Sequence, residues 1–218
     1  MKLYLDGSDW LAGYFLPESE CQATKSVGHI DNMLMDSTRS SGFMNRTVRP
    51  EGALRASIPG CDRTVLLENG EIDDPYYGRN MERSRWSEAK EWAFRKDFTL
   101  PAAWQDCRKL TLTFHGMGYK AHIFLNDEWL GVREGMFTPW EFEVTDVIDR
   151  TGNNVLVLIF DPAPQAVANH ERVRPAEFAE FHHCQMSFGW DWARPLVPTG
   201  IFDHVELKGT MAARIRDC

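Results

Sequence analysis

The chain has 218 residues, which is long enough for one large domain with a hydrophobic core of its own. It carries 24 Lys and Arg against 32 Asp and Glu, a formal net charge of −8 at pH 7. This acidic balance argues against nucleic acid or an anionic membrane as a partner, because phosphate groups are bound by clustered basic side chains. No apolar run approaches the roughly 18 residues that a transmembrane helix needs.

The cysteines and the first residues bear on the compartment. The N-terminal sequence MKLYLD reaches an acidic side chain too early for a secretory signal peptide. Five cysteines are spread along the chain without a CxxC pair, a pattern typical of free thiols in a reducing compartment. We therefore expect a cytoplasmic protein. The cysteines are Cys21, Cys61, Cys107, Cys184 and Cys218.

The first third of the chain has few regular elements. Residues 17–52 are rich in Ser, Thr, Gly, Pro and charge, which predicts loops with short strands. Residues 54–58 form a candidate strand. Residues 63–69 predict one or two turns of helix that end at Gly70. The sequence DDPYYG at 73–78 is typical of a turn.

From Trp92 onward, apolar and polar residues alternate in short segments. In the first segment Trp92, Phe94, Phe98 and Leu100 are the apolar positions, and Lys96 is the exception. A tight hairpin turn is expected at 126–127. Strands at this spacing, with almost no helical period, predict an all-β antiparallel sandwich. The further candidate strands are 110–114, 121–125, 128–132, 140–145, 155–160, 205–207 and a beginning strand at 213–215.

Two motifs resemble a cofactor site and a metal site, but the residues around each motif argue against that interpretation. The sequence GMGYKA at 116–121 matches a dinucleotide fingerprint, but an alternating strand follows it where the phosphate-binding helix should begin. A corner between strands is the better interpretation. His182, His183 and Cys184 are consecutive, and because neighbouring residues on a strand point to opposite faces, the three cannot all reach one metal. The sequence therefore predicts no cofactor, no metal and no catalytic residue.

The segment FGWDW at 188–192 is the strongest candidate binding site. An Asp carboxylate can accept hydrogen bonds from two adjacent sugar hydroxyls, and a Trp ring offers a flat stacking face. The chain has 8 Trp among its 26 aromatic residues, a surplus that suits sugar binding. From the residues alone, the alternative is that Trp190 and Trp192 pack in the core and that Asp191 caps a turn.

A set of short stretches distributed along the chain forms a recognisable pattern. The stretches are 58–61, 67–80, Trp86, 92–98, 114–116, 123–126 with Gly131, 142–145, 152–157, 188–192 and 199–202. Together they resemble the N-terminal sugar-binding domain of glycoside hydrolase family 2, nearest to its β-mannosidase branch. The order and spacing of the match run from about residue 3 to residue 208.

The resemblance implies a jelly-roll β-sandwich of the galactose-binding type over residues 1–209, with residues 210–218 beginning the next domain. In the family, an immunoglobulin-like sandwich and a TIM barrel follow. The barrel carries the two catalytic glutamates of a retaining mechanism. The resemblance also gives Asp191 the role of binding hydroxyls of the sugar that is cleaved, extends that role to Trp190, and makes Trp192 a supporting residue.

The particular sugar and the architecture of the whole protein stay open at this point. Trp192 is followed by Ala193-Arg194 where the family usually has Gly-Pro, and Asn80-Met81 is closer to exo-β-glucosaminidases and endo-β-mannosidases. The leading hypothesis is an accessory domain that walls one side of the pocket of a β-mannosidase-like enzyme. Its partners would be a carbohydrate with a terminal β-linked sugar and the downstream domains. The alternatives are a free-standing carbohydrate-binding module and a purely structural sandwich.

Overall fold

The computed structural model describes residues 1–15, 52–163 and 182–212. Within these ranges the backbone forms thirteen strands, two short α-helices and three 3-10 turns. The strands of the first half are β1 (Lys2–Tyr4), β2 (Gly7–Tyr14), β3 (Leu54–Ile58), β4 (Gly60–Cys61), β5 (Trp92–Thr99) and β6 (Lys109–Phe114). Those of the second half are β7 (Met117–Gly118), β8 (Lys120–Leu125), β9 (Glu128–Glu134), β10 (Trp140–Glu143), β11 (Asn153–Phe160), β12 (Gly200–Ile201) and β13 (Val205–Thr210). The helices are α1 (Asp62–Glu68) and α2 (Asn80–Arg83), and the 3-10 turns are Arg85–Ala89, Ala102–Trp104 and Gln185–Phe188.

The strands are arranged in two larger sheets and one small sheet, and neighbouring strands pair antiparallel. A six-stranded sheet has the order β3-β2-β5-β11-β8-β9, and a four-stranded sheet has the order β1-β13-β6-β10. A three-stranded sheet, β4-β12-β7, lies beside them. One buried cluster takes Phe94 and Leu158 from the six-stranded sheet and Leu112 and Leu207 from the four-stranded sheet. The prediction of an all-β sandwich is therefore confirmed.

Strand β5 explains why Lys96 interrupts the apolar alternation. Trp92, Phe94 and Phe98 belong to the central core, and Lys96 lies on the same side of the strand. Its side chain is only 6 % exposed and forms an ion pair with Asp9 of β2, whose carboxylate reaches solvent. The irregular position in the sequence is thus a buried amine with a charged partner, the usual condition for a cation in an interior.

The local predictions agree with the structure at two turns. Asn126 and Asp127 have φ values of +50° and +68°, and they join β8 to β9 in the tight hairpin expected of Asn-Asp. The segment 116–121 contains β7, the connecting residue Tyr119 and the first two residues of β8, and no helix, so the corner prediction is confirmed. The predicted loops at 17–52 lie almost wholly outside the described residues, and the beginning strand at 213–215 lies entirely outside them. The boundary at 209/210 stays a prediction.

Among the described residues, Cys61, Cys107 and Cys184 are free thiols. In the same ranges no helix has the length and apolar character required to cross a membrane.

The surroundings of Glu206 on β13 lead us to expect that the free energy of unfolding falls in acid. Burial opposes ionisation of this carboxylate, but hydrogen bonds from Lys2, Lys208 and His115 outweigh it and lower its pKa to about 2. The nitrogens lie 2.8, 2.7 and 3.2 Å from the carboxylate oxygens. Because the unfolded chain takes up the proton near pH 4.5, the stabilisation is present above that pH and is lost as the pH falls toward 2.

The check is urea denaturation of the wild type and of Glu206→Gln at pH values between 5.5 and 3. We expect the free energy of unfolding to fall less steeply with acid in the variant, because the group responsible for that part of the slope is gone. Equal slopes for the two proteins would contradict the assignment.

Candidate functional site

The segment 190–193 forms a tight turn at the end of an irregular loop, and we call it the tip turn. The Trp190 N–H donates to the Ala193 carbonyl at 2.9 Å, and the Ala193 N–H donates back to the Trp190 carbonyl at 3.2 Å. Asp191 and Trp192 therefore occupy the two central positions. Gly189 precedes the turn with φ +115°, a conformation that side chains rarely adopt. The glycine at this position thus allows the chain to enter the turn.

The tip turn is on the surface and not in the core. Trp190 is 52 % exposed and Trp192 is 80 % exposed, and Asp191 is also exposed. The two indole rings contact edge to face, with centroids 6.2 Å apart. Within the described part of the chain, no group donates a hydrogen bond to the Asp191 carboxylate. The alternative that these residues are core and a capped turn is therefore wrong.

The base of the loop is held by packing and backbone hydrogen bonds. The Leu196 N–H donates to the Ser187 carbonyl at 2.8 Å, which closes the loop below the tip turn. The His183 ring is buried and packs edge-on against Tyr119 and Phe188, with centroids 6.0 and 5.4 Å away. Burial lowers the pKa of His183, so the ring is neutral at pH 7. The loop therefore has a well-packed base and an exposed tip.

A surface ion-pair chain lies next to the tip turn. Arg194 pairs with Glu82 of α2, and Arg79 donates to the same carboxylate at 2.6 Å. The hydrogen bond from Arg79, helped by the nearby Arg194, lowers the pKa of Glu82. Arg194 stands where the family pattern has proline. Its ion pair with Glu82 connects the tip loop to α2, which follows the DDPYYG turn.

A buried cluster of charged residues packs against residues 194–199, the irregular segment between the tip turn and β12, which we call the limb. Asp62, Arg63 and Glu88 are 0 %, 2 % and 3 % exposed. They bond one another and the backbone of Val197 and Thr199. No local pattern in the sequence marks this cluster, because Arg63 and Glu88 are 25 residues apart and meet only in the folded chain.

The described residues do not assemble a metal centre. Among them no group of three or more His, Cys, Asp or Glu side chains is arranged to hold an ion. His182 is exposed while the adjacent His183 is buried, so these two rings lie in different environments. What the site offers chemically is hydrogen-bond acceptance by Asp191 and stacking faces on Trp190 and Trp192.

Comparison with known proteins places the chain in a family. The family model for the galactose-binding domain-like domain of glycosyl hydrolase 2 matches residues 37–203. This match covers most of the chain, and the chain therefore belongs to that family. The resemblance seen in the sequence is thus confirmed.

The relatives that the chain resembles include β-mannosidases. A β-mannosidase of Rattus norvegicus is 30 % identical over 178 residues, which cover 74 % of this chain and 20 % of that protein. A β-D-mannosidase from Dictyoglomus thermophilum superposes with a TM-score of 0.70 at 25 % identity, covering 96 % of this chain and 22 % of the other. The exo-chitosanase CsxA of Amycolatopsis orientalis shares the fold, with a TM-score of 0.62 at 20 % identity, over 96 % of this chain and 20 % of its own. The chain thus spans about one fifth of the length of these relatives.

Proposed function

We propose that this chain is the accessory sugar-binding domain of a retaining, β-mannosidase-like exo-glycosidase, and that it walls one side of the substrate pocket. The observation that carries the proposal is the tip turn, where an exposed carboxylate that receives no hydrogen bond from any described residue lies between two exposed indoles. An unpartnered acceptor and free aromatic faces are what recognition of a sugar needs. Similarity to β-mannosidases supports mannose as the sugar.

In this proposal the chemistry of bond cleavage comes from elsewhere in the same polypeptide. A retaining glycosidase uses two carboxyl groups about 5–5.5 Å apart, one as acid/base and one as nucleophile. The family architecture assigns these groups to a downstream TIM barrel that follows an immunoglobulin-like domain. Asp191 then holds the sugar at the non-reducing end, so that the scissile bond is presented to the barrel glutamates in the correct place.

The test compares the full-length protein with residues 1–218 alone, using p-nitrophenyl β-D-mannopyranoside as substrate. We expect hydrolysis with retained configuration by the full-length protein and none by residues 1–218. Calorimetric titration of residues 1–218 with mannose should show no binding in the millimolar range, since half a pocket offers too few contacts. A Kd near 1 mM, about 4 kcal/mol, would favour a free-standing binding module.

The same assay distinguishes the sugar. Structural similarity to an exo-chitosanase makes the β-glucosaminide the second candidate substrate. We expect the mannoside to be the better substrate of the full-length protein. A higher kcat/KM for the glucosaminide would move the proposal to that branch of the family.

A further inference from the structure

The limb that leaves the tip turn runs over the buried cluster of Asp62, Arg63 and Glu88. Residues 194–199 connect the tip turn to β12, and they follow Ala193 directly. A limb of irregular backbone has no strand ladder to fix its path. Its path depends on whatever bonds its peptide groups make.

Arg63 is the centre of this cluster. Its guanidinium donates to the Glu88 carboxylate at 2.5 Å, to Ser84 Oγ at 3.1 Å and to the Val197 carbonyl at 3.2 Å. The three bonds leave from three different nitrogens, Nε, Nη1 and Nη2, whereas an ammonium would have to make all its bonds from a single nitrogen. Arg63 thus connects α1 and the 3-10 turn at Arg85–Ala89 to the limb.

The two carboxylates bind the remaining peptide groups of the same stretch. Glu88 accepts from the Val197 N–H at 3.2 Å, and Asp62 accepts from the Thr199 N–H at 3.1 Å. The Asp62 N–H donates to the Thr199 carbonyl at 2.8 Å. The cluster therefore engages both backbone groups of Val197 and both backbone groups of Thr199.

A buried ionic cluster is a poor way to increase stability. Removing charges from water costs several kcal/mol per ion, and well-packed apolar side chains of similar volume are often as stabilising or more so. What a hydrogen-bonded fork supplies instead is direction, because each bond has a required distance and angle. Here that direction is imposed on the limb that supports the tip turn.

We propose that Asp62, Arg63 and Glu88 are positioning residues that fix where the tip turn, and with it Asp191, stands relative to the bound sugar. This inference rests on the proposed function. A displacement of about 1 Å in a group that orients a substrate can lower the rate on the order of 100-fold. Loosening the limb is therefore expected to reduce activity through Asp191, although none of the three cluster residues touches the sugar.

The experiment is a double-mutant cycle in the full-length enzyme, with p-nitrophenyl β-D-mannopyranoside as substrate. We expect Arg63→Met to lower kcat/KM by about tenfold or more. Arg63→Lys should not rescue it, because a single ammonium cannot replace the fork. In the Asp191→Ala background, Arg63→Met should change kcat/KM by less than about threefold, because the group that it positions is absent. Glu88→Gln, which keeps the side-chain volume, should also lower kcat/KM, by a smaller factor, and should have less effect in the Asp191→Ala background. This variant replaces Arg63→Met in the cycle if Arg63→Met does not fold.

Leu156→Ala is the matched control, because Leu156 is fully buried in β11 and belongs to the central core. It should lower Tm as Arg63→Met does but leave kcat/KM within about twofold. Hydrogen exchange of the unliganded enzyme should be faster in residues 186–199 for Arg63→Met than for Leu156→Ala.

Each result decides between the two proposals. A loss caused by Arg63→Met that is equally large in the Asp191→Ala background overturns the positioning role, as does an unchanged kcat/KM in a folded Arg63→Met enzyme. An Asp191→Ala enzyme of normal activity overturns the proposed function itself.

Discussion

Replacing Asp191 by alanine is expected to lower kcat/KM of the full-length enzyme by about 100-fold while leaving the fold intact. A hydrogen bond to a charged group contributes about 1.5–3 kcal/mol, and a carboxylate that accepts from two sugar hydroxyls makes two such bonds. At the low end of that range two bonds contribute about 3 kcal/mol, slightly more than the roughly 2.7 kcal/mol that corresponds to a 100-fold change in rate. Because Asp191 is exposed and its carboxylate has no hydrogen-bond partner among the described residues, its removal should change the free energy of unfolding by less than about 0.5 kcal/mol.

The controls separate a sugar contact from a general loss of charge. Asp191→Asn keeps the shape and one acceptor oxygen but loses the charge, so it should fall between wild type and alanine. Asp106 is another exposed aspartate, in the connection before β6, and Asp106→Ala should stay within about twofold of wild type. Normal kcat/KM in Asp191→Ala would remove the residue from the site.

Replacing Trp10 by alanine is expected to cause one of the largest losses of stability in the domain. Trp10 is 1 % exposed in the central core, and its indole N–H donates to the Leu5 carbonyl at 2.8 Å. Truncating a buried tryptophan costs about 3–5 kcal/mol, because a cavity remains and dispersion contacts are lost. The Leu5 carbonyl also loses its donor from the indole.

The measurement is urea denaturation of residues 1–218, followed by far-UV circular dichroism. Trp129→Ala is the matched control, since Trp129 on β9 is 58 % exposed and its removal should cost less than about 1 kcal/mol. Similar losses for the two variants would mean that Trp10 does not carry the core contact that its burial indicates.

Much of the sandwich could be predicted from period-two alternation. The strands that this pattern does not identify have physical reasons for lacking it. Strands β5, β6, β8 and β11 have apolar residues at every second position, apart from Lys96 in β5, or in a continuous run, so their sequences alone identify them. The sequence of strand β2, GSDWLAGY, does not indicate a strand, because it holds two glycines and no β-branched residue. It forms because β3 and β5 pair with it on both sides, which is a property of the folded chain.

The candidate site was predictable only in part. Composition favoured a core position for Trp190 and Trp192, because large aromatic rings are usually buried. It was the resemblance that gave Asp191 a role, and the two hydrogen bonds between Trp190 and Ala193 that place these side chains in solvent were not evident from the sequence. The Asp62–Arg63–Glu88 cluster was out of reach, because charged residues far apart in sequence give no periodic signal before the fold brings them together.

The most direct measurement of the central claim is a crystal structure of the full-length enzyme with mannose or a mannose-configured inhibitor in its pocket. We expect an Asp191 oxygen to lie about 2.5–3.0 Å from at least one sugar hydroxyl, and residues downstream of Cys218 to form the opposite side of the pocket. A bound sugar that leaves the Asp191 carboxylate in bulk solvent, or a pocket built without the tip turn, would contradict this claim.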